Sequence, residues 1–184
     1  MTFSAQLSRP PFPRPQPVEC MIDPRFRAAT SDDLTAINAI YNHYVLHSTC
    51  TYQTVPSTAE ERAQWFEAHG EKHPVIVVEL GCTIIGWGSL SKLHQRQAFE
   101  HSVEDSIYLH HDHTGRGIGK MTLTELLRLA KRAGHHTMLG AICSDQTGSI
   151  ALHERQGFER VARFHEVGYK FDRWLDLVWM QKML

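Results

Sequence analysis

The segment that most restricts this chain is an apolar run, Ser106-Ile107-Tyr108-Leu109, leading into Gly115-Arg116-Gly117-Ile118-Gly119-Lys120 and then into a helical pattern. That pattern, Met121, Leu123, Leu126, Leu127, Ala130 and Ala133, puts an apolar stripe on one helix face, and Gly134 can stop it. Strand, glycine turn and helix in this order make an anion-binding layout. The glycines let backbone N–H groups approach phosphate oxygens, and the helix N-terminus adds its partial positive charge. Two common phosphate loops fail on spacing. A P-loop needs four residues between its first Gly and a Gly-Lys pair followed by Ser or Thr, whereas here three intervene and Met121 follows Lys120. A dinucleotide fingerprint needs GxGxxG, and this is GxGxG. A glycine turn that merely joins a strand to a helix is the alternative the residues themselves leave open.

The rest of the chain supplies the elements around this unit. Phe26 to Thr30 reads as a short strand, and Thr30-Ser31-Asp32-Asp33 offers side-chain oxygens to cap a helix. In that helix Leu34, Ile37, Tyr41, Tyr44 and Val45 form the apolar stripe. Thr51 to Val55 is loop, and Thr58 with Glu61 makes a capping box for a second helix that buries Trp65 and Phe66. Val75 to Leu80 and Ile84 to Leu90 form a hairpin about Gly81-Cys82. Met138 to Ile142 is strand, Gly148 to Gln156 a short helix closed by Gly157, and two β-rich segments finish the chain. Alternating strands and helices with hairpins indicate an α/β domain with a mixed sheet.

Composition excludes several classes. The 184 residues fit one domain, and 20 acidic against 19 basic residues leave no field to hold nucleic acid or an anionic membrane. Any anion site is therefore local. Cys20, Cys50, Cys82 and Cys143 are scattered, with no CxxC pair, which suits a reducing cytoplasm. Residues 1–24 read as a flexible Pro-rich tail with neither a signal h-region nor a membrane span, leaving 25–184 as the folded domain.

The glycine stretch resembles the acetyl-CoA motif of GNAT acetyltransferases, Arg/Gln-x-x-Gly-x-Gly/Ala, with Gly117 and Gly119 at its glycines and Thr114 where Arg or Gln is usual. From about Phe26 to Leu184 the chain resembles the phosphinothricin and methionine sulfoximine acetyltransferases, in IYNHYV, TAEERAQW, QRQAFEHSVEDSIYL, SIALHERQGFERV and HEVGYKFDRWLDLVWMQKML. The C-terminal phrase is the more specific, since the glycine motif says only GNAT. The resemblance implies a GNAT fold, a mixed and mostly antiparallel central sheet flanked by helices. It also implies a homodimer, with acetyl-CoA as co-substrate, a small amino-acid-like acceptor and no metal. A peptide or protein N-acetyltransferase, or a domain that senses acyl-CoA without turnover, are the alternatives.

By the same resemblance, Gly115, Arg116, Gly117, Ile118, Gly119 and Lys120 cradle the pyrophosphate, while Ile107, Tyr108, Leu109 and Gln146 contact the pantetheine arm. Gln146 stands where Asn is usual. His94, Gln95, Arg96, Asp105 and Ser106 line the acceptor pocket together with Glu104, and Phe99 stands where Tyr is frequent. Glu104 matches a family glutamate held to be the general base, and His153 a histidine held to move protons. Transfer is direct: the amine loses its proton and attacks the thioester, and an oxyanion forms before the thiolate leaves. An ordinary Glu is a weak base for an ammonium ion, so burial must raise it or water must relay. Read without the family, Glu104 is a solvated strand-end carboxylate, His153 a helix-packing histidine and Arg96 a solvated loop arginine. His110-His111-Asp112-His113 and His135-His136 read as surface histidines, because adjacent positions rarely converge on one ion. Cys143, Phe158, Phe171, Trp174 and Trp179 read as packing or, for the aromatics, dimer contact.

Overall fold

The computed structural model describes residues 23–184, so the expectation of a tail over 1–24 falls almost wholly outside the described residues. Seven strands form one sheet in the order β1-β2-β3-β4-β5-β7-β6. The strands are β1 (Arg25–Ala28), β2 (Val75–Leu80), β3 (Thr83–Lys92), β4 (Ser102–Leu109), β5 (Thr137–Cys143), β6 (Glu159–Lys170) and β7 (Arg173–Met183). Every neighbouring pair is antiparallel except β4 with β5. The parallel step is forced by a crossover through a helix, which returns the chain to the same end of the sheet.

Helices α1 (Leu34–His47) and α2 (Ala59–Glu67) cover one face, and α3 (Ile118–Arg132) and α4 (Thr147–Arg155) the other. Thr58 and Glu61 form the expected capping box of α2. A 3-10 turn at Ser31–Asp33 precedes α1, and the Asp33 carboxylate accepts from Thr30 N–H at 2.7 Å. Each face has its own core. Leu123, Leu126, Leu127 and Ala130 of α3 pack on Leu90, Val103, Met138 and Met180, whereas Ile37 and Ile40 of α1 pack on Val75, Val77 and Trp87.

Two expectations need correction. The strand expected at Ser106 begins at Ser102, because pairing with β3 as far as Lys92↔Val103 carries the ladder through the mostly polar residues ahead of the apolar run. Glu104 therefore lies inside β4. His135 is not at the surface: it is 7 % exposed, and its Nε2–H donates to the Lys72 carbonyl at 2.6 Å. Trp174 and Phe171, by contrast, are open to solvent at 60 % and 51 %.

Candidate active site

The parallel pair β4 and β5 is joined only at Ser102↔Thr137, Val103↔Met138 and Glu104↔Leu139, although β4 runs on to Leu109 and β5 to Cys143. Beyond Glu104 the strands part, leaving a wedge open toward their C-terminal ends. His110 N–H bonds to Ile85 of β3, so even-numbered backbone groups here face β3 and those of Ile107 and Leu109 face the wedge. The Leu109 carbonyl is already taken by the Tyr44 hydroxyl at 2.6 Å. The N–H groups of Ile107 and Leu109 thus form a row with no strand partner.

The anion loop sits at the wide end of this wedge. Gly115 and Gly117 have φ of 74° and 82°, a left-handed backbone that side chains with a Cβ rarely adopt. Gly117 is the N-cap of α3, so the free N–H groups of the first helical turn point out of the loop. A Cβ on either glycine would enter open space, so the turn itself, and not crowding, requires glycine there. Thr114 caps the preceding 3-10 turn, its hydroxyl donating to the His111 carbonyl at 3.0 Å.

Glu104 and Asp105 meet that apex from opposite faces, because neighbouring strand residues alternate. Tyr108, on the Glu104 face, packs with Tyr41 and Tyr44 of α1, while Asp105 binds His153 of α4. Burial, then the charge of Asp105, raises the Glu104 carboxyl above its ordinary range. Across β3 it faces Ser91, whose hydroxyl lies 3.1 Å from His69 Nε2. The Nδ1 of His69 is 2.7 Å from the Trp65 carbonyl and must carry the proton there, which leaves Nε2 to accept from Ser91.

On the other face His153 is held at both ring nitrogens. Its Nδ1–H donates to the Ser149 carbonyl at 2.8 Å, and Nε2 lies 3.2 Å from Asp105 Oδ2. Both side chains are almost fully buried, and Asp105 Oδ1 has no partner. Burial works against the imidazolium, but the Asp105 bond and charge and the Ser149 carbonyl outweigh it, so His153 protonates above its ordinary value. Gly140, just past the last residue of β5 that pairs with β4, leaves room for the pair: a Cβ there would lie 3.0 Å from His153 Nε2 and 3.3 Å from Asp105 Oδ1.

A recess at the same end of the sheet is lined by His47, Ser48, Thr49, Asp145, Gln146, Phe171 and Arg173. Gln146 precedes α4 and donates its amide to Thr49 Oγ1 at 2.8 Å and Asp145 Oδ1 at 3.1 Å. Although burial alone would raise it, hydrogen bonds from Thr49, Arg173 and Gln146 bring the Asp145 carboxyl down to about 2.

The model of the acetyltransferase (GNAT) domain matches residues 26–179. The chain belongs to the GNAT acetyltransferase family. Within GNAT enzymes it is 38 % identical over 159 residues to the L-methionine sulfoximine/L-methionine sulfone acetyltransferase of Salmonella typhimurium, covering 86 % of this chain and 93 % of that protein. A phosphinothricin acetyltransferase from Sinorhizobium meliloti, solved with acetyl-CoA, superposes at a TM-score of 0.84 with 36 % identity and covers 88 % of each chain. A ribosomal-protein-alanine N-acetyltransferase from Brucella melitensis gives a TM-score of 0.84 at 37 % identity, covering 87 % of this chain and 99 % of that one.

On this GNAT frame the wedge gathers Glu104, Asp105, Ile107 and Leu109 from one strand, with the glycine loop at its mouth. Ser106 pairs across β3 with Ser89, and Tyr108 is packed against Trp87 with ring centroids 4.8 Å apart. Burial pushes the Tyr108 hydroxyl far above its ordinary value, so it stays protonated. Arg116 and Lys120 are exposed or nearly so, and Ile118 is buried under the loop. His94, Gln95 and Arg96 lie on the exposed β3–β4 connection, where Arg96 N–H donates to His94 Nδ1 at 3.0 Å. Sequence reading missed Lys170, 4 % exposed, whose Nζ donates to the Ser48 and Thr51 carbonyls at 2.7 and 2.8 Å and pins the β6–β7 hairpin beside α1. It also missed Gly140. Neither carries a local signal, since a lysine near a strand end and a glycine within a strand are common for bland reasons.

Proposed function

We propose that this GNAT enzyme transfers the acetyl group of acetyl-CoA to the primary amine of a small amino-acid-like acceptor of the methionine sulfoximine and phosphinothricin type. The wedge between β4 and β5 carries the reading, because the carboxyl at its apex, its unpaired N–H groups and its glycine-loop mouth follow one another along β4 and the turn that leaves it. Ile107 and Leu109 offer their free backbone N–H groups to the pantetheine arm and to the thioester carbonyl. Glu104, its pKa raised, takes the proton of the ammonium directly or through water. The amine nitrogen then bonds to the carbonyl carbon, and the oxyanion draws on the N–H donor. Its collapse breaks the C–S bond, and the second nitrogen proton passes to the departing thiolate, leaving the amide and CoA thiol. Asp105 and His153 support the apex from behind.

Arg96 supplies acid recognition: its planar fork gives two parallel hydrogen bonds to a carboxylate or phosphinate and so fixes the amine beside the thioester. It lies on the connection that leads into β4. The ribosomal-protein-alanine relative supports a second reading, in which an N-terminal amine is the acceptor. Amino acids and their decarboxylated analogues, assayed by thiol release, separate the two. We expect Arg96→Ala to raise KM for methionine sulfoximine strongly and KM for acetyl-CoA little. Equal turnover of an amino acid and its decarboxylated analogue by the wild type refutes acid recognition, and no thiol release with any acceptor favours a sensor.

The working unit is a homodimer. Strand β6 lies at the sheet edge, and Phe164, Val167, Tyr169, Phe171 and Trp174 of the β6–β7 hairpin are exposed, an apolar edge that pairing with a second copy would cover. Light scattering at micromolar concentration tests this. No helix among the described residues is long and apolar enough to cross a membrane. The free thiols of Cys50, Cys82 and Cys143 suit a reducing cytoplasm.

A further inference from the structure

Five histidines from two parts of the chain meet beside the glycine loop. His43 and His47 lie on the last turns of α1, and His110, His111 and His113 on the turn between β4 and the loop. The His43 ring lies face to face with His111, with centroids 4.1 Å apart and planes at 11°. His43 is also 4.9 Å from His47, and His111 is 4.3 Å from His110.

Within this cluster His110, His111 and Asp112 each offer a ligand atom, all within 4.8 Å of one another. Asp112 Oδ2 lies 3.8 Å from His110 Nδ1, and Oδ1 lies 3.7 Å from His111 Nε2. A tetrahedral ion about 2.0–2.1 Å from its ligands holds them about 3.4 Å apart, so the two Asp112 pairs need to close by under about 0.5 Å and the two imidazole nitrogens by no more than about 1.4 Å. Consecutive residues of a strand cannot do this, because their side chains alternate between faces. Here the 3-10 turn His111–His113 replaces the alternation with a tight winding that brings neighbours to one side. The His110, His111 and Asp112 side chains are 40 %, 49 % and 72 % exposed, open to an ion and free to adjust. Only the 3.4 Å contact of Asp112 N–H with His110 Nδ1 must be given up.

We propose that His110, His111 and Asp112 form a site for a divalent transition-metal ion of the zinc class, with one coordination position left open on the side of His43. The site is accessory: it lies outside the wedge, and acetyl transfer by GNAT enzymes needs no metal. Two nitrogens and one carboxylate oxygen match the donor preference of zinc and exclude magnesium and calcium, which take oxygen ligands.

The test is calorimetric titration of the full, untagged chain with zinc chloride, alongside cobalt(II) absorption to identify the donors. Saturable binding of one ion is expected, weakened about tenfold or more in His111→Ala and in Asp112→Asn, and unchanged in His136→Ala. The cobalt spectrum should lack thiolate charge-transfer bands, and the Cys82→Ser variant should bind as the wild type does. Absence of saturable binding overturns the proposal. So does affinity that survives both His111→Ala and Asp112→Asn, or that disappears with Cys82→Ser, since the ion would then be held elsewhere.

Discussion

Gly140→Ala adds one methyl group against the buried Asp105–His153 pair. A strand position ordinarily gains about 0.5–1 kcal/mol from this change, because Gly loses more backbone freedom on folding than Ala. Here the new Cβ would lie 3.0 Å from His153 Nε2, 3.1 Å from its Cδ2 and 3.3 Å from Asp105 Oδ1. Neither neighbour can retreat. His153 is tied to the Ser149 carbonyl through Nδ1, and both side chains of the pair are buried in the packed face of the sheet. Overpacking costs about 1–3 kcal/mol, and breaking a hydrogen bond to a charged group about 1.5–3 kcal/mol. Because the two costs overlap in one event and the propensity gain offsets part of them, we expect a loss of about 2–4 kcal/mol. For a domain of this size that lowers Tm by about 4–16 °C.

The pH dependence follows from His153, whose folded pKa is raised above the ordinary 6.5. Stabilisation by its protonated form is fully present below 6.5 and is lost as pH rises through the raised value. The Tm deficit of Gly140→Ala should therefore be largest in mildly acidic buffer and shrink in alkaline buffer. Calorimetry of Gly140→Ala, His153→Ala and the double variant supplies the decisive cycle: with the ring removed, the added methyl has space, so the second substitution should cost little. A Gly140→Ala protein melting within about 2 °C of wild type, or additive losses in the double variant, would refute the collision.

Gly117→Val should abolish acetyl-CoA binding, because a β-branched residue cannot hold φ of 82° and the loop donors turn away; undiminished affinity in a folded variant, by calorimetry, would reject the loop assignment. Glu104→Gln should keep CoA affinity, lose about 10²-fold or more in kcat, and remove the acidic limb of the pH–rate profile, whose midpoint in the wild type should lie above the ordinary carboxylate range. Wild-type kcat across pH in that variant would leave Glu104 a positioning residue at most. Deleting residues 1–20 should leave Tm and turnover nearly unchanged, and a large fall in Tm would show that this segment docks.

The glycine loop, α3 and the β2–β3 hairpin were legible because their causes are local. Helical periodicity from Leu123 to Ala130, and two glycines that must take positive φ before a helix, are written within a few residues of where they act. The start of β4 was not legible. Ser102 to Asp105 has one apolar residue, Val103, among three polar ones, too short a signal to read as strand; antiparallel pairing with β3 imposes the conformation. The family resemblance pointed to Glu104 and His153 but could not show that they approach the apex from opposite faces of the sheet. That follows from the alternation of β4 once its position in the sheet is known.

The sequence by itself therefore determined the alternation of strands and helices, the anion loop and the stock of titratable groups, since each depends on backbone preference or composition over short spans. Tertiary structure alone decided which groups share an environment. Asp105 and His153 are separated by 48 positions, and their pairing depends on the crossover that sets α4 behind β4 and on the bare Cα of Gly140. The wedge is decided the same way: nothing in either strand's residues says that pairing stops at Glu104↔Leu139, because strand separation arises from how helices and neighbouring strands pull on a sheet as a whole.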